Sequence, residues 1–147
     1  MEEQAYTYSQ PITEISYDFT SVSQEKHVAK RITFTSISYQ NAYHLALLDV
    51  LGDGSTSDIT ESRNKDMRTI LATVMQVIGE FLTAHPQKLV IFKGSDPRRH
   101  RLYRVLISRD LANIQVAFNI FGLIENQEAP EIFQTNQSYE YYIITKK

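Results

Sequence analysis

Met67, Ile70, Leu71, Val74, Val77, Ile78, Phe81 and Leu82 recur at the three-and-four spacing of an α-helix, in the middle of a 147-residue chain. A helix with so broad an apolar face needs a flat apolar partner, and the opposite face carries Arg68, Thr69, Gln76 and Glu80. His85-Pro86 ends the pattern, because the residue before proline avoids the α region. The rest of the sequence must therefore supply a sheet. Ile15, Tyr17 and Phe19 alternate with polar residues, Val28 to Ile37 is rich in β-branched residues, and Tyr43 to Leu51 is apolar enough for a strand buried on both faces. Leu89-Val90-Ile91-Phe92 reads as a short central strand. Ile114 to Ile120 and Tyr139 to Thr145 read as two more.

Between them, Gly94-Ser95-Asp96-Pro97 is a turn into a second helix, with Ser95 or Asp96 as N-cap and Pro97 at the first helical position. Leu102, Val105 and Leu106 give that helix its apolar stripe. The expected order is βββαβαββ. This is an α/β (α+β) fold with a mixed, largely antiparallel sheet of five or six strands and two helices on one face. The length fits one domain, residues 1–147, with 1–10 as a candidate flexible end and loops at 52–60 and 122–137. Asp58 and Glu61 have capping-box spacing ahead of the first helix.

Cysteine is absent, which removes disulfides, thiolate metal sites and cysteine nucleophiles. The polar start Met1-Glu2-Glu3-Gln4 is unlike a secretory signal, and no apolar run approaches the roughly 18 residues of a membrane span. Cytoplasmic location is the expectation.

Charge is distributed unevenly. The formal net charge is -2, yet residues 88–110 hold seven bases (Lys88, Lys93, Arg98, Arg99, Arg101, Arg104, Arg109) against Asp96 and Asp110. Arg98, Arg99 and Arg101 fall at the start of the second helix, where the macrodipole disfavours cations by about 0.3–1 kcal/mol each. Arginines there, beside a Gly94-Ser95 turn with free N–H groups, suit an anion. The competing readings are pairing with acids of the same chain and docking of an acidic protein partner.

Asp49, Asp53, Asp58, Glu61 and Asp66 form a candidate Mg²⁺ set, set against ordinary solvent-facing or capping carboxylates; their spacing matches no metal loop, and no cofactor or metal ligand is assigned. His100, among arginines and beside Tyr103, is a candidate acid or base, with an exposed helix residue as the alternative. Tyr139, Tyr141 and Tyr142 have base-stacking chemistry, but core packing fits their surroundings better. Gly52-Asp53-Gly54-Ser55 is only a fragment of a phosphate loop. No reaction is identified.

From Tyr43 onward the sequence resembles a family of small functionally uncharacterised proteins, a domain of unknown function, mainly from Bacteroidetes-type bacteria. The resemblance rests on His44-Leu45-Ala46-Leu47-Leu48-Asp49, Ser62-Arg63-Asn64-Lys65-Asp66-Met67, Ile70-Leu71-Ala72-Thr73-Val74, and Ile91-Phe92-Lys93-Gly94-Ser95 followed by Arg98 to Arg104. The family form of the last stretch is Gly-Ser, a spacer, then Arg-Thr-Arg-Leu-Tyr. Either Arg98 or Arg99 matches its first arginine, and Arg101 matches the second. Near the third strand the family often has Asn-Leu-Ala-Phe-Gly-Asp; Leu48 replaces the glycine here and Asp49 keeps the acid. The resemblance spans about two-thirds of the chain and implies membership without an activity.

Its recurrent positions, Asp49, Asn64, Asp66, Gly94, Ser95, Arg101 and Tyr103, overlap the residues selected on physical grounds. The expected site is one cleft at the strand ends. Arg98 or Arg99, Arg101 and Arg104 would hold phosphate with the Gly94–Asp96 amides, and Asp66, Asn64 and Asp49 would orient the remainder; Asp66 joins His100 as a candidate for catalysis. The ligand expected is RNA or a nucleotide. The alternative is a protein-interaction module, one half of a bacterial two-gene regulatory or defence pair.

Overall fold

The computed structural model describes residues 4–9, 16–22, 27–37, 41–57 and 66–147. Among these, the elements in chain order are β1 (Tyr8–Ser9), β2 (Ser16–Val22), β3 (His27–Ser36), β4 (Ala42–Val50), β5 (Thr56–Ser57), α1 (Met67–Ala84), β6 (Leu89–Phe92), α2 (Pro97–Arg109), α3 (Leu111–Ala117), β7 (Phe118–Leu123), β8 (Glu131–Ile132) and β9 (Tyr141–Lys146). Eight strands lie in the order β1-β2-β3-β4-β6-β9-β7-β8, and β5 adds to β4. Every pairing is antiparallel except β4 with β6, which α1 joins as a parallel crossover.

The mixed, largely antiparallel architecture is as expected, but the count is not. Three helices form instead of two, and short strands β1, β5 and β8 add to the sheet. β1 lies inside 1–10, read as a candidate flexible end, and pairs with β2. β5 and β8 fall inside the two expected loops. The strand expected over Ile114–Ile120 is the main misreading. Asp110 closes α2 and opens α3, so helix continues to Ala117 and β7 begins only at Phe118. The Val and Ile content of this stretch favours strand, but Val116 is 79% exposed and has nothing to pack against. Local helical bonding therefore prevails there. The Asp58–Glu61 capping box lies outside the described residues, and Asp66 occupies the N-cap position of α1.

Parity within the strands defines the core. Tyr17 and Phe19 of β2, Ile32 and Phe34 of β3, Leu45 of β4, Val90 and Phe92 of β6, Ile120 of β7, and Tyr142 and Ile144 of β9 all point to the same side. They meet Ile70, Leu71, Val74, Val77, Ile78, Phe81 and Leu82 of α1 and Tyr103, Leu106 and Ile107 of α2. Phe34 stacks on Phe81 with ring centroids 4.0 Å apart. β4 is only half-buried on its outer side, not buried on both faces. No helix among the described residues is long and apolar enough to cross a membrane.

Candidate functional site

The parallel pair leaves a break in the sheet. β6 pairs only with Ala42, Tyr43 and His44 of β4, and β5 pairs with Asp49 and Val50 on the same edge. From Leu45 to Leu48 that edge has no strand partner among the described residues. In a strand, alternate residues direct both backbone groups to one edge, so the break exposes donors and acceptors. It lies beyond the carboxyl end of β6, beside the middle of β4, where the chain leaves β6 for α2. Sheets with parallel strands characteristically bind ligands at such ends.

A cavity of about 490 Å³ fills the break, lined by Leu45, Leu47, Leu71 and Tyr103 on its apolar side and by His44, Lys93, Ser95, Asp96 and Arg99 on its polar side. Next to it a second space of about 10 Å³ is lined by Lys30, Leu47, Asp49, Ser57, Met67, Ile70 and Arg99. Leu47 and Arg99 belong to both. Arg99 lies four, seven and eight residues before Tyr103, Leu106 and Ile107, on the inward stripe of α2. Its side chain is 15% exposed; Nη1 donates to Ser95 Oγ at 2.7 Å, and Nε is 3.5 Å from Asp96 Oδ2.

Lys30 and Asp49 are two charged residues on the inner face of the sheet, which also holds the buried hydroxyl of Ser21. Lys30 shares the parity of Ile32 and Phe34, Asp49 that of Leu45 and Leu47, and the two are register partners. The Lys30 ammonium donates to Asp49 Oδ1 with both side chains buried. Asp49 Oδ2 is buried and has no hydrogen-bond partner among the described residues.

The expected phosphate cradle is only partly available. Asp96 is the N-cap, and its Oδ1 accepts from the Arg99 N–H at 2.8 Å. The Gly94 N–H donates to His100 Nδ1 at 3.0 Å. His100 Nε2 in turn donates to the Tyr139 carbonyl, and the ring stacks on Tyr142 at 4.6 Å. Both ring nitrogens are thus engaged, joining the turn and α2 to the segment that leads into β9, which leaves His100 no nitrogen for proton transfer. Gly94 is required by the same junction: a Cβ there would sit 2.2 Å from the His100 backbone nitrogen.

The structure therefore divides the expected residues. Asp49, Gly94, Ser95, Arg99 and Tyr103 line the paired cavities, and burial pushes the Tyr103 hydroxyl well above the usual tyrosine range. Arg98 and Arg101 are exposed and Arg104 is half-buried, with Nη1 donating to Ser138 Oγ at 3.2 Å; none of the three lines either cavity. Asp66 faces the N-terminal segment and β2: its Oδ2 accepts from the Tyr6 hydroxyl and from Ser21 Oγ. Burial, then the bond to Asp66, raises the Tyr6 pKa. Asn64 lies outside the described residues. Lys30, His44 and Ser57 also line the cavities and were not among the residues expected from the sequence, and Lys93 was expected only as part of the basic cluster.

The candidate Mg²⁺ acids do not converge. Asp49 engages Lys30, Asp66 engages Tyr6 and Ser21, and Asp53 engages Ser55, whose hydroxyl and N–H lower its pKa; Asp58 and Glu61 lie outside the described residues. No group of three His, Asp or Glu among the described residues is placed to hold a metal ion. The Gly52–Ser55 stretch is a closed turn between β4 and β5, with the Leu51 N–H bonded to the Ser55 carbonyl. Tyr139 and Tyr142 are buried in the core, and Lys93 sits over the half-buried Tyr141 ring.

The fold is a mixed α+β one, with a cleft at the break between the middle of β4 and the carboxyl end of β6. The chain belongs to a family of unknown function, DUF6934, whose model matches residues 2–147. No curated protein and no solved structure matches the chain.

Proposed function

We propose that this protein binds a small phosphate-bearing ligand in the cleft between β4, β6 and the first turn of α2. The observation that carries the reading is Arg99. It is the one arginine of the basic cluster on the inward helix stripe, and it lines a 490 Å³ cavity together with Lys93 and Ser95. That volume falls in the range of small-molecule sites, about 300–1,000 Å³. A half-open cleft of this size matches a nucleotide-sized molecule. Side chains supply the anion contacts, because Asp96 already caps α2.

The test is a thermal-shift panel of nucleotides, short single-stranded RNA and DNA, and inorganic phosphate, each with and without Mg²⁺. A ligand at 100 times its Kd adds about 2.7 kcal/mol. At about 2–4 °C per kcal/mol that is a shift of several degrees. The shift should vanish in Arg99→Ala and persist in Arg101→Ala. No shift with any member of the panel overturns the reading.

A second reading has its own observation. Arg98, Arg101 and Arg104 recur every three residues on the outward side of α2, away from the cavity. Such a stripe suits an acidic protein, as in one half of a bacterial two-gene pair. A stoichiometric partner lost in Arg98→Ala/Arg101→Ala but retained in Arg99→Ala would favour it.

A further inference from the structure

Two neighbouring cavities share Leu47 and Arg99 in their walls and differ chemically. We propose that one ligand occupies both, a phosphorylated sugar, free or as part of a nucleotide, with phosphate at the Ser95–Arg99 end and one sugar hydroxyl donating to Asp49 Oδ2. The inference deepens the proposed function and rests on it.

The hydroxyl end follows from charge and size. Asp49 Oδ2 is a buried acceptor without a partner among the described residues, and an unmet buried acceptor is costly. A second cation cannot satisfy it: the Lys30 ammonium is bonded to the other oxygen, and Arg99 lines the same space. The pair is already neutral, so a neutral donor fits. A space of about 10 Å³ holds one water-sized group, the size of a single hydroxyl. Ser57 on the same wall adds a further polar side chain.

The opposite end offers an anion the Arg99 guanidinium and the Ser95 hydroxyl. Between the ends lie Leu45, Leu47 and Leu71, an apolar wall suited to the C–H face of a sugar ring. The edge of β4 that has no strand partner among the described residues runs beside it. Arg99 spans both ends, so it is a positioning residue for the hydroxyl as well as a phosphate contact.

Calorimetry on the full chain with inorganic phosphate, ribose 5-phosphate, a nucleoside monophosphate and the unphosphorylated nucleoside tests this. Ribose 5-phosphate should bind at least about tenfold more tightly than inorganic phosphate, equivalent to about 1.4 kcal/mol. Asp49→Asn should remove that gain and leave phosphate binding in place. Because Asp49→Asn can disturb folding, the wild-type protein with carbon-labelled aspartate provides a second readout. Its Asp49 carboxyl resonance should move with ribose 5-phosphate and stay fixed with inorganic phosphate. Tighter binding of the nucleoside monophosphate than of ribose 5-phosphate makes a nucleotide the source; equal affinity makes it a free sugar phosphate.

Equal, Arg99-dependent binding of phosphate and ribose 5-phosphate, with a stationary Asp49 resonance, overturns the inference and leaves the proposed function standing. Binding of none of the phosphorylated probes overturns both.

Discussion

Lys30 and Asp49 face each other across β3 and β4 at positions whose parity points into the core, with 4% and 6% of their side chains exposed. Removing one partner of such a pair strands the other charge, which costs about 3–5 kcal/mol, whereas replacing both by apolar residues is often near neutral. Lys30→Met and Asp49→Leu should each lower unfolding free energy in urea by about that amount, and the double variant by much less. The double-mutant cycle reads the coupling directly. Additive losses would show that the charges do not interact in solution.

Gly94 admits no side chain, because its Cβ would meet the His100 backbone at 2.2 and 2.5 Å. Gly94→Ala must push α2 away from the β6 turn, and overpacking of this kind costs about 1–3 kcal/mol or more. Gly52, with nothing within 4 Å of its Cβ position, is the control. Equal melting temperatures for Gly94→Ala and Gly52→Ala would refute the close approach.

His100 is expected to matter for stability and not for chemistry. His100→Ala loses the bonds to Gly94 and Tyr139 and the stack on Tyr142, a cost of about 1–3 kcal/mol. Phosphate binding that depends on Arg99 should survive below the lowered melting temperature. Loss of binding in a still-folded His100→Ala protein would return this residue to the site.

Alkaline pH should unfold the protein through its buried tyrosines. Burial pushes the Tyr142 hydroxyl up to about 12, and burial with the bond to Glu131 does the same for Tyr139, against 10.0 in an unfolded chain. The unfolded chain therefore releases these protons first. Their contribution is intact below about pH 10 and is lost between about pH 10 and 12. Melting curves followed by tyrosinate absorbance should show this fall, and Tyr142→Phe should make it shallower.

Much of the frame was legible because it rests on local rules. The α1 stripe, the Asp96 cap with Pro97 behind it, and β6 at Leu89–Phe92 all lie where the spacing of residues places them. Ile114 to Ala117 was misread because β-branched content and helical bonding compete there, and no neighbour enforces strand pairing before Phe118 meets Lys146. The basic cluster was visible as charge but not as geometry. The spacing back from Tyr103, Leu106 and Ile107 does distinguish Arg99 from Arg98 and Arg101, a signal present in the sequence itself. Lys30 left a signal too, a lysine in phase with Ile32 and Phe34.

Periodicity over a few residues was enough to place α1, α2, β6 and strands β2 to β4, together with the buried stripe of α1. That β4 and β6 run parallel with a break beside them, that Lys30 meets Asp49, and that His100 is a strut emerged only in the folded arrangement. Those relations join residues far apart in the chain. They depend on strand order and register, which local hydrophobic patterns leave free.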